Sequence, residues 1–442
     1  MRPRAWVLLL AAVFALLQLT AVTGRDTPDS RNYVAYALGL GGAGKREAAA
    51  TTVDWACAGR ASLARRGQSV DVVRFHRPDP AAREFAECRS EALKVVDRRL
   101  AAGQTDGHIP PFMKPRLKRI FEVRPGYPVF LLPFVTALGV TWGVWTASVL
   151  VTVAAGILAF LVLRTLSVPV PLALTGQALY YVLPCGATAM RPMTEGLMLA
   201  LTLAAVWGCA LALTGRARAG TALTCGCLLA LVPVKHSQAL FLGLTLAGAG
   251  TAVLVARGRR GRAPGRGRAP GRGVAAGRGV AAGRGVAAIA VAGCCAVLGT
   301  VLLARLLHYP AESESLQDLL TDHFARPDRA HPWSEFLHLE GNFWTEWARR
   351  QVGQPLFAAA LGAGLWGALR RPAFGCFLLA AAATGFLTQA AHPDINIFGE
   401  RLIVLAWLLP VIGVPLLLEP VVRRPLPVPA QGVGGRRVHS VG

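Results

Sequence analysis

The sequence predicts an all-α polytopic membrane protein of about ten transmembrane helices with an external helical first loop. Three observations predict it. Of 442 residues, 53% are hydrophobic and only 16% are charged, with a mean hydropathy of +0.45, which is too apolar for a soluble two-domain chain. Apolar runs long enough to cross a bilayer recur along the chain. Acidic and basic residues fall into alternate loops.

The first run, Ala5 to Val22, follows Arg2 and Arg4, and the "AVTG" after it is a poor cleavage site, so residues 1–23 are read as an uncleaved first span. Further runs lie near 141–163, 170–188, 195–213, 219–234, 237–256, 286–307, 353–369, 373–390 and 402–418. "YPVFLLPFVTALG", Tyr127 to Gly139, is apolar but short and carries two prolines, which suggests a re-entrant or surface-lying piece. The resulting organisation is an external loop over 24–126 and a membrane bundle over 127–256. A low-complexity loop over 257–285, a span over 286–307 and a second external loop over 308–354 come next. The last spans cover 355–420 and a polar tail covers 421–442.

Arginines set the orientation. Arg2, Arg4, Arg164, Arg216, Arg218, the run from Arg257 to Arg284, Arg370, Arg371, Arg423 and Arg424 share one side, expected to be the cytoplasm of a cell membrane, with both termini there. Of 24 acidic residues, all but Glu419 fall on the opposite, external face. The net charge of +23 comes largely from the Gly/Arg/Ala/Pro repeat at 257–285, which is expected to be disordered and to touch anionic lipid. It has no aromatic residue on which a base could stack, so a nucleic-acid partner is not expected.

Seven of nine cysteines lie in or beside spans and read as small apolar packing residues. Cys57 and Cys88 are the pair in an external loop, where oxidation can join them. In "REFAECRSEALKVVDRRLAAG" a helical face is formed by Phe85, Cys88, Ala92, Val95 and Val96. Trp333, Phe343, Trp344 and Trp347 mark either an interfacial helix or the core of a small external cap. There is no Walker loop, HExxH or GxSxG, and no acid stands at the centre of a span, where coupled transporters usually keep one.

The polar residues at the external mouth resemble the GT-C superfamily of membrane glycosyltransferases, which includes protein O-mannosyltransferases and the aminoarabinose transferase of lipid A. Asp29 just past the first span, Tyr33 and "AYALGL", the segment "RPGYPVFLLPFVTALG" with Pro125, Tyr127, Pro128 and Gly139, "RPMTEG" at Arg191 to Gly196, and Arg401 with Pro410 carry the resemblance through their order and sidedness. The family often has Arg-Tyr where this chain has Arg401-Leu402. The resemblance implies transfer of a sugar from a polyprenyl-phosphate donor to an extracytoplasmic glycan, lipid or protein.

That chemistry needs a general base for the acceptor and cations for the leaving phosphate, all at headgroup depth. Asp29 is the expected base and Asp26 its rival, while a purely helix-capping role for this stretch, with Thr27 as N-cap and Pro28 at the first helical position, stays open. Arg124, Arg191, Lys235, His236 and Arg401 are candidates for holding phosphate. Glu195, Glu400 and Tyr33 are candidates for orienting an arginine or contacting the sugar. The residues leave open whether a divalent metal assists. A transporter or flippase of a lipid-linked envelope component, or a non-catalytic membrane scaffold, is the alternative reading.

Overall fold

The structure, a computed structural model, describes residues 2–262, 273–395 and 401–423. Within them every regular element is helical: α1 Pro3–Gln18, α2 Pro28–Leu40, α3 Lys45–Ser69, α4 Ala81–Ala101, α5 Pro115–Glu122, α6 Gly126–Thr165, α7 Val170–Val182, α8 Pro184–Ala189, α9 Thr194–Leu213, α10 Ala217–Arg262, α11 Gly273–Leu306, α12 Glu312–Leu320, α13 Pro332–Gly353, α14 Leu356–Leu369, α15 Pro372–Ala390 and α16 Leu408–Val422. A 3₁₀ turn, Leu402–Trp407, leads into α16.

Seven helical segments are long and apolar enough to cross a bilayer, or eight if α13 and α14, bent by 90° at their junction, form one span. This is the property of an integral membrane protein. Large apolar side chains such as Leu229, Leu298 and Leu356 stand exposed on the outside of the bundle, as a hydrocarbon environment permits. The expected run at 170–188 is cut at Leu183, where the residue before Pro184 turns extended, leaving a 13-residue α7 and a short α8. The runs at 219–234 and 237–256 are two limbs of α10, which breaks at Lys235 just after Pro233. The run at 353–369 yields only the 14 residues of α14.

The limbs of α10 double back. In the first, the Thr224 hydroxyl lies 3.4 Å from the Ala205 carbonyl of α9, whereas Gly243 and Gly250 of the second pack on α11. Gly285 of α11 touches Ala217, where α10 begins, and its neighbours Val286 and Ala290 meet Gly250. The second limb therefore returns to the level at which the first started, and Lys235 sits at the apex. The low-complexity segment departs from expectation. Helix α10 continues into it to Arg262 and α11 starts at Gly273, because Ala and Arg favour helix and propagation from a formed span is cheap. Residues 263–272 and the tail from 424 lie outside the described residues.

Helices α2–α5 and α12–α13 gather at the end of the bundle where Lys235 lies, here called the loop-bearing end. Cys57 of α3 and Cys88 of α4 are joined by a disulfide with Cα atoms 5.7 Å apart, the pair singled out from the sequence. On α4 the buried residues include Cys88, Leu93 and Val96, while Val95, placed on that face by periodicity, is exposed. Trp344 and Trp347 of α13 pack on Phe386, and Trp347 also meets Phe357, while Trp333 stays exposed. The aromatic helix thus packs on α14 and α15 of the bundle at one end and leaves Trp333 exposed at the other.

The Tyr127–Gly139 piece forms the first arm of α6. Gly139 has φ 71° and ψ 169°, a conformation nearly exclusive to glycine, and the chain folds back there. Gly143 then lies against the backbone of Phe134 and Val135. The arm buries Tyr127, Leu131 and Val135 with Tyr33 and Tyr36 of α2, so the bend positions the helix that bears Asp29. A Cβ on Gly139 would meet no atom within 4 Å, so Gly139→Ala should be penalised through the backbone alone. The expected loss is about 1–3 kcal/mol, read as a lower Tm in detergent; an unchanged Tm would show that the bend is not held by this residue.

Candidate active site

Helix α2 begins with a reciprocal cap. The Ser30 N–H donates to the Thr27 hydroxyl (3.3 Å) and the Thr27 N–H donates to the Ser30 hydroxyl (2.9 Å). Pro28 occupies the first helical position, and Asp29 follows in the first turn. The Thr27 hydroxyl also donates to Sδ of Met193 at 3.8 Å, and Met193 is the N-cap residue of α9. Two helix N-termini therefore meet, each with one acid in its first turn, Asp29 on α2 and Glu195 on α9.

Arg401 joins those acids. Its Nη2 donates to Oδ2 of Asp29, and its Nε donates to Oε1 of Glu195 at 3.2 Å. Lys235, at the apex of α10, completes the chain with Nζ 3.6 Å from the same Glu195 oxygen. The Thr194 hydroxyl donates to the other Glu195 oxygen at 3.1 Å. Glu195 is 2% exposed and Lys235 6%, whereas Asp29 and Arg401 are half-buried. Burial alone would lower the Arg401 pKa, but Glu195 and Asp29 outweigh it and raise it above its ordinary value. Four segments separated by up to 372 residues thus meet in one network.

Arg124, in the link between α5 and α6, adds a third cation. Its charge is felt at Tyr33, Lys235 and His236, yet its side chain has no ion-pair or hydrogen-bond partner among the described residues, and its Nε is buried. It is brought near Lys235 by Gly126, where a Cβ would lie 2.8 Å from the backbone of Pro233 and Val234. The His236 ring is 5.2 Å from that of Tyr309, and its Nδ1 is buried without a partner. Tyr33 is buried under the site against Phe121 and Tyr127, and burial pushes its hydroxyl pKa up, so it stays protonated.

Not every candidate joins this network. Arg191 is half-buried in the turn between α8 and α9, four residues before Glu195. Glu400 lies outside the described residues. Asp26 is three residues from Asp29 but lies against Gly59 of α3, where Oδ1 would be 2.8 Å from a Cβ on that glycine. Burial pushes the Asp26 pKa up from 3.8, and it has no ion-pair partner among the described residues.

Two neighbouring features were not anticipated from the sequence. His323 Nδ1 lies 3.0 Å from Oδ1 of Asp318, which raises the His323 pKa, and Asp29 adds to the effect. This His sits within three consecutive left-handed residues, Asp322, His323 and Phe324, held by hydrogen bonds from the Phe324 N–H to Thr321 and from Lys114 to the Phe324 carbonyl. No periodicity or motif signals such a turn. The second is a cleft of about 450 Å³ beside the site, lined among others by Arg119, Glu122, Tyr309 and Glu314. It connects to the network through the Tyr309–His236 contact.

No group of three or more His, Cys, Asp or Glu side chains among the described residues is placed to hold a metal ion. Asp29 and Glu195, the acids of the network, are each engaged by a cation. Comparison with models of protein families, with curated proteins and with solved structures returned no match.

Two outcomes follow from these burials. Glu195→Gln leaves Lys235 buried without its counter-charge, and thermal or denaturant unfolding in detergent should show a loss of about 3–5 kcal/mol. Adding Lys235→Met should recover much of it; no recovery would mean that Lys235 is not the group stranded. Asp26 gives a pH signature. Because its folded pKa is raised, its ionisation opposes folding, and the stability associated with its neutral form is lost as pH rises through the folded value. Asp26→Asn should therefore unfold at a higher temperature than wild type near pH 7, with the gain vanishing below about pH 3.8.

Proposed function

We propose that this chain is a membrane glycosyltransferase of GT-C type, with about ten spans, that moves a sugar from a polyprenyl-phosphate donor to an acceptor at the loop-bearing end. The observation that carries the reading is the network of Asp29, Arg401, Glu195 and Lys235, joined by an Arg124 that has no counter-charge. Among the described residues of this network three cations stand against two acids, which leaves room for one further anion. A phosphate at the headgroup level supplies it.

In this mechanism the donor phosphate is held by Arg401, Arg124 and Lys235. Phosphate competes with Asp29 for Arg401 and so frees the carboxylate. The acceptor hydroxyl or amine attacks the anomeric carbon and gives its proton to Asp29, while the bond from that carbon to the phosphate oxygen breaks. Polyprenyl phosphate leaves with the electron pair, and the cations stabilise its growing charge. Glu195 positions Arg401 and Lys235. The cleft beside Tyr309 and Glu122 offers the acceptor a polar approach.

Charge placement favours transfer over transport. The buried charged side chains among the described residues, Lys118, Glu195, Lys235 and Glu419, all belong to a surface helix, a helix end or a helix break, and none to the interior of a span. The Cys57–Cys88 disulfide at the loop-bearing end suits an oxidising side, and the arginines of the opposite end suit the cytoplasm of a cell membrane, with both termini inside.

Purified protein given a radiolabelled polyprenyl-phosphate sugar should release polyprenyl phosphate. Asp29→Asn should fold normally and lower that rate by about 10²- to 10⁴-fold, the usual loss for a general base, while Asp26→Asn stays near wild type. Retained turnover in Asp29→Asn would remove Asp29 from this role. Movement of intact donor across vesicles, without cleavage, would replace the transferase by a flippase.

A further inference from the structure

At the end of the bundle opposite the proposed active site, three arginines from different elements surround a second cleft, of about 500 Å³. Arg370 closes α14, Arg371 precedes α15 and Arg423 closes α16. Glu419 of α16, 8% exposed, lies between two of them. Nη2 of Arg371 donates to both of its oxygens at 2.8 Å, and Nε of Arg423 donates to Oε1 at 2.8 Å. Arg423 Nη2 also donates to the Ser167 carbonyl, and Ser167 holds a left-handed φ of 62° at the turn between α6 and α7. Among the described residues Arg370 has no acid partner: it lies 5.9 Å from the ring of Trp366, which is 60% exposed.

The arrangement has more order than loop arginines need for setting topology. A buried carboxylate fixes two guanidiniums in place, and one carboxylate cannot neutralise three cations, so the cleft keeps a surplus of two positive charges. Close in sequence to the residues that line the cleft, Trp366 and Leu369 at the end of α14 and Leu418 and Val421 near the end of α16 are exposed. A free anion would use only the arginines, whereas an anion carrying acyl chains would use both parts.

We propose that this cleft is a binding site for the phosphate headgroup of an anionic phospholipid, with its acyl chains alongside Trp366 and the exposed apolar residues of α14 and α16. Arg370 supplies the free charge, and Glu419 acts through Arg371 and Arg423 as a positioning residue. The site is independent of the sugar-transfer reading, since it lies at the other end of the bundle and shares no residue with it.

The test is lipid retention by the full chain, by native mass spectrometry after exchange from micelles containing equal phosphatidylglycerol and phosphatidylcholine. Wild type should retain phosphatidylglycerol in preference. Arg370→Gln with Arg423→Gln should weaken that binding about 30-fold, at about fivefold for each basic residue near the surface. Arg216→Gln with Arg218→Gln removes the same charge where α9 turns into α10 and should leave it unchanged. If the double variant fails to fold, Arg370→Gln alone, which breaks no ion pair, should weaken binding about fivefold. Equal retention of the two lipids, or equal loss in both double variants, would overturn the proposal. So would soluble glycerol phosphate binding to the wild type as tightly as the lipid does.

Discussion

The ion pairs of Arg401 hold the loop-bearing end of this protein together. One guanidinium spans two helix N-termini by bonding Asp29 on α2 and Glu195 on α9, and Glu195 in turn neutralises Lys235 at the apex of α10. None of these contacts is local. Each charge is out of bulk water to some degree, and a buried charge is tolerated only when it is paired and hydrogen-bonded. The network therefore requires α2, two spans and the entry to the last span to be docked together. It is also where a proposed donor phosphate would find three cations and one carboxylate able to accept a proton.

The rest of the fold serves that convergence through backbone devices. Gly139 lets the arm of α6 fold back and pack beneath Tyr33 and Tyr36, which sets the position of α2. The break at Lys235 turns α10 into a pair of limbs and places a lysine at their apex. Gly126 permits the start of α6 to touch that apex, which brings Arg124 beside Lys235. Each is a point where helical hydrogen bonding or side-chain bulk is given up, and all three lie at the mouth of the bundle. The proposed chemistry and these backbone exceptions occupy the same region, as expected where function competes with regular structure.

Charge has a different role at each end. In the network at the loop-bearing end Asp29 and Glu195 are paired with Arg401 and Lys235, while Arg124 has no counter-charge among the described residues, which suits the proposed donor phosphate. At the opposite end Arg371 and Arg423 are fixed on one buried Glu419 while Arg370 stays unpaired, which suits an anion that remains. The same physics, a surplus of guanidinium over carboxylate in a partly dry setting, underlies both the proposed donor-phosphate site and the proposed lipid site.

Several features were determined by the sequence alone. Helical class and membrane character follow from apolar run length and composition, since a spanning segment must satisfy its backbone internally. The cap at Thr27, Pro28 at the first helical position and the Cys57–Cys88 pair are equally local or compositional signals. Asp29, Glu195, Lys235 and Arg401 could be picked out because polar residues at span ends are few. Tertiary structure alone decided how these residues combine. Asp26 and Asp29 are three residues apart and alike in sequence terms, yet one carboxylate meets Gly59 and the other meets Arg401, because the helical cap fixes their directions and α3 and the last span supply different neighbours. The left-handed turn at His323 and the unpaired side chain of Arg124 depend on which elements pack together, and neither periodicity nor residue order carries that information.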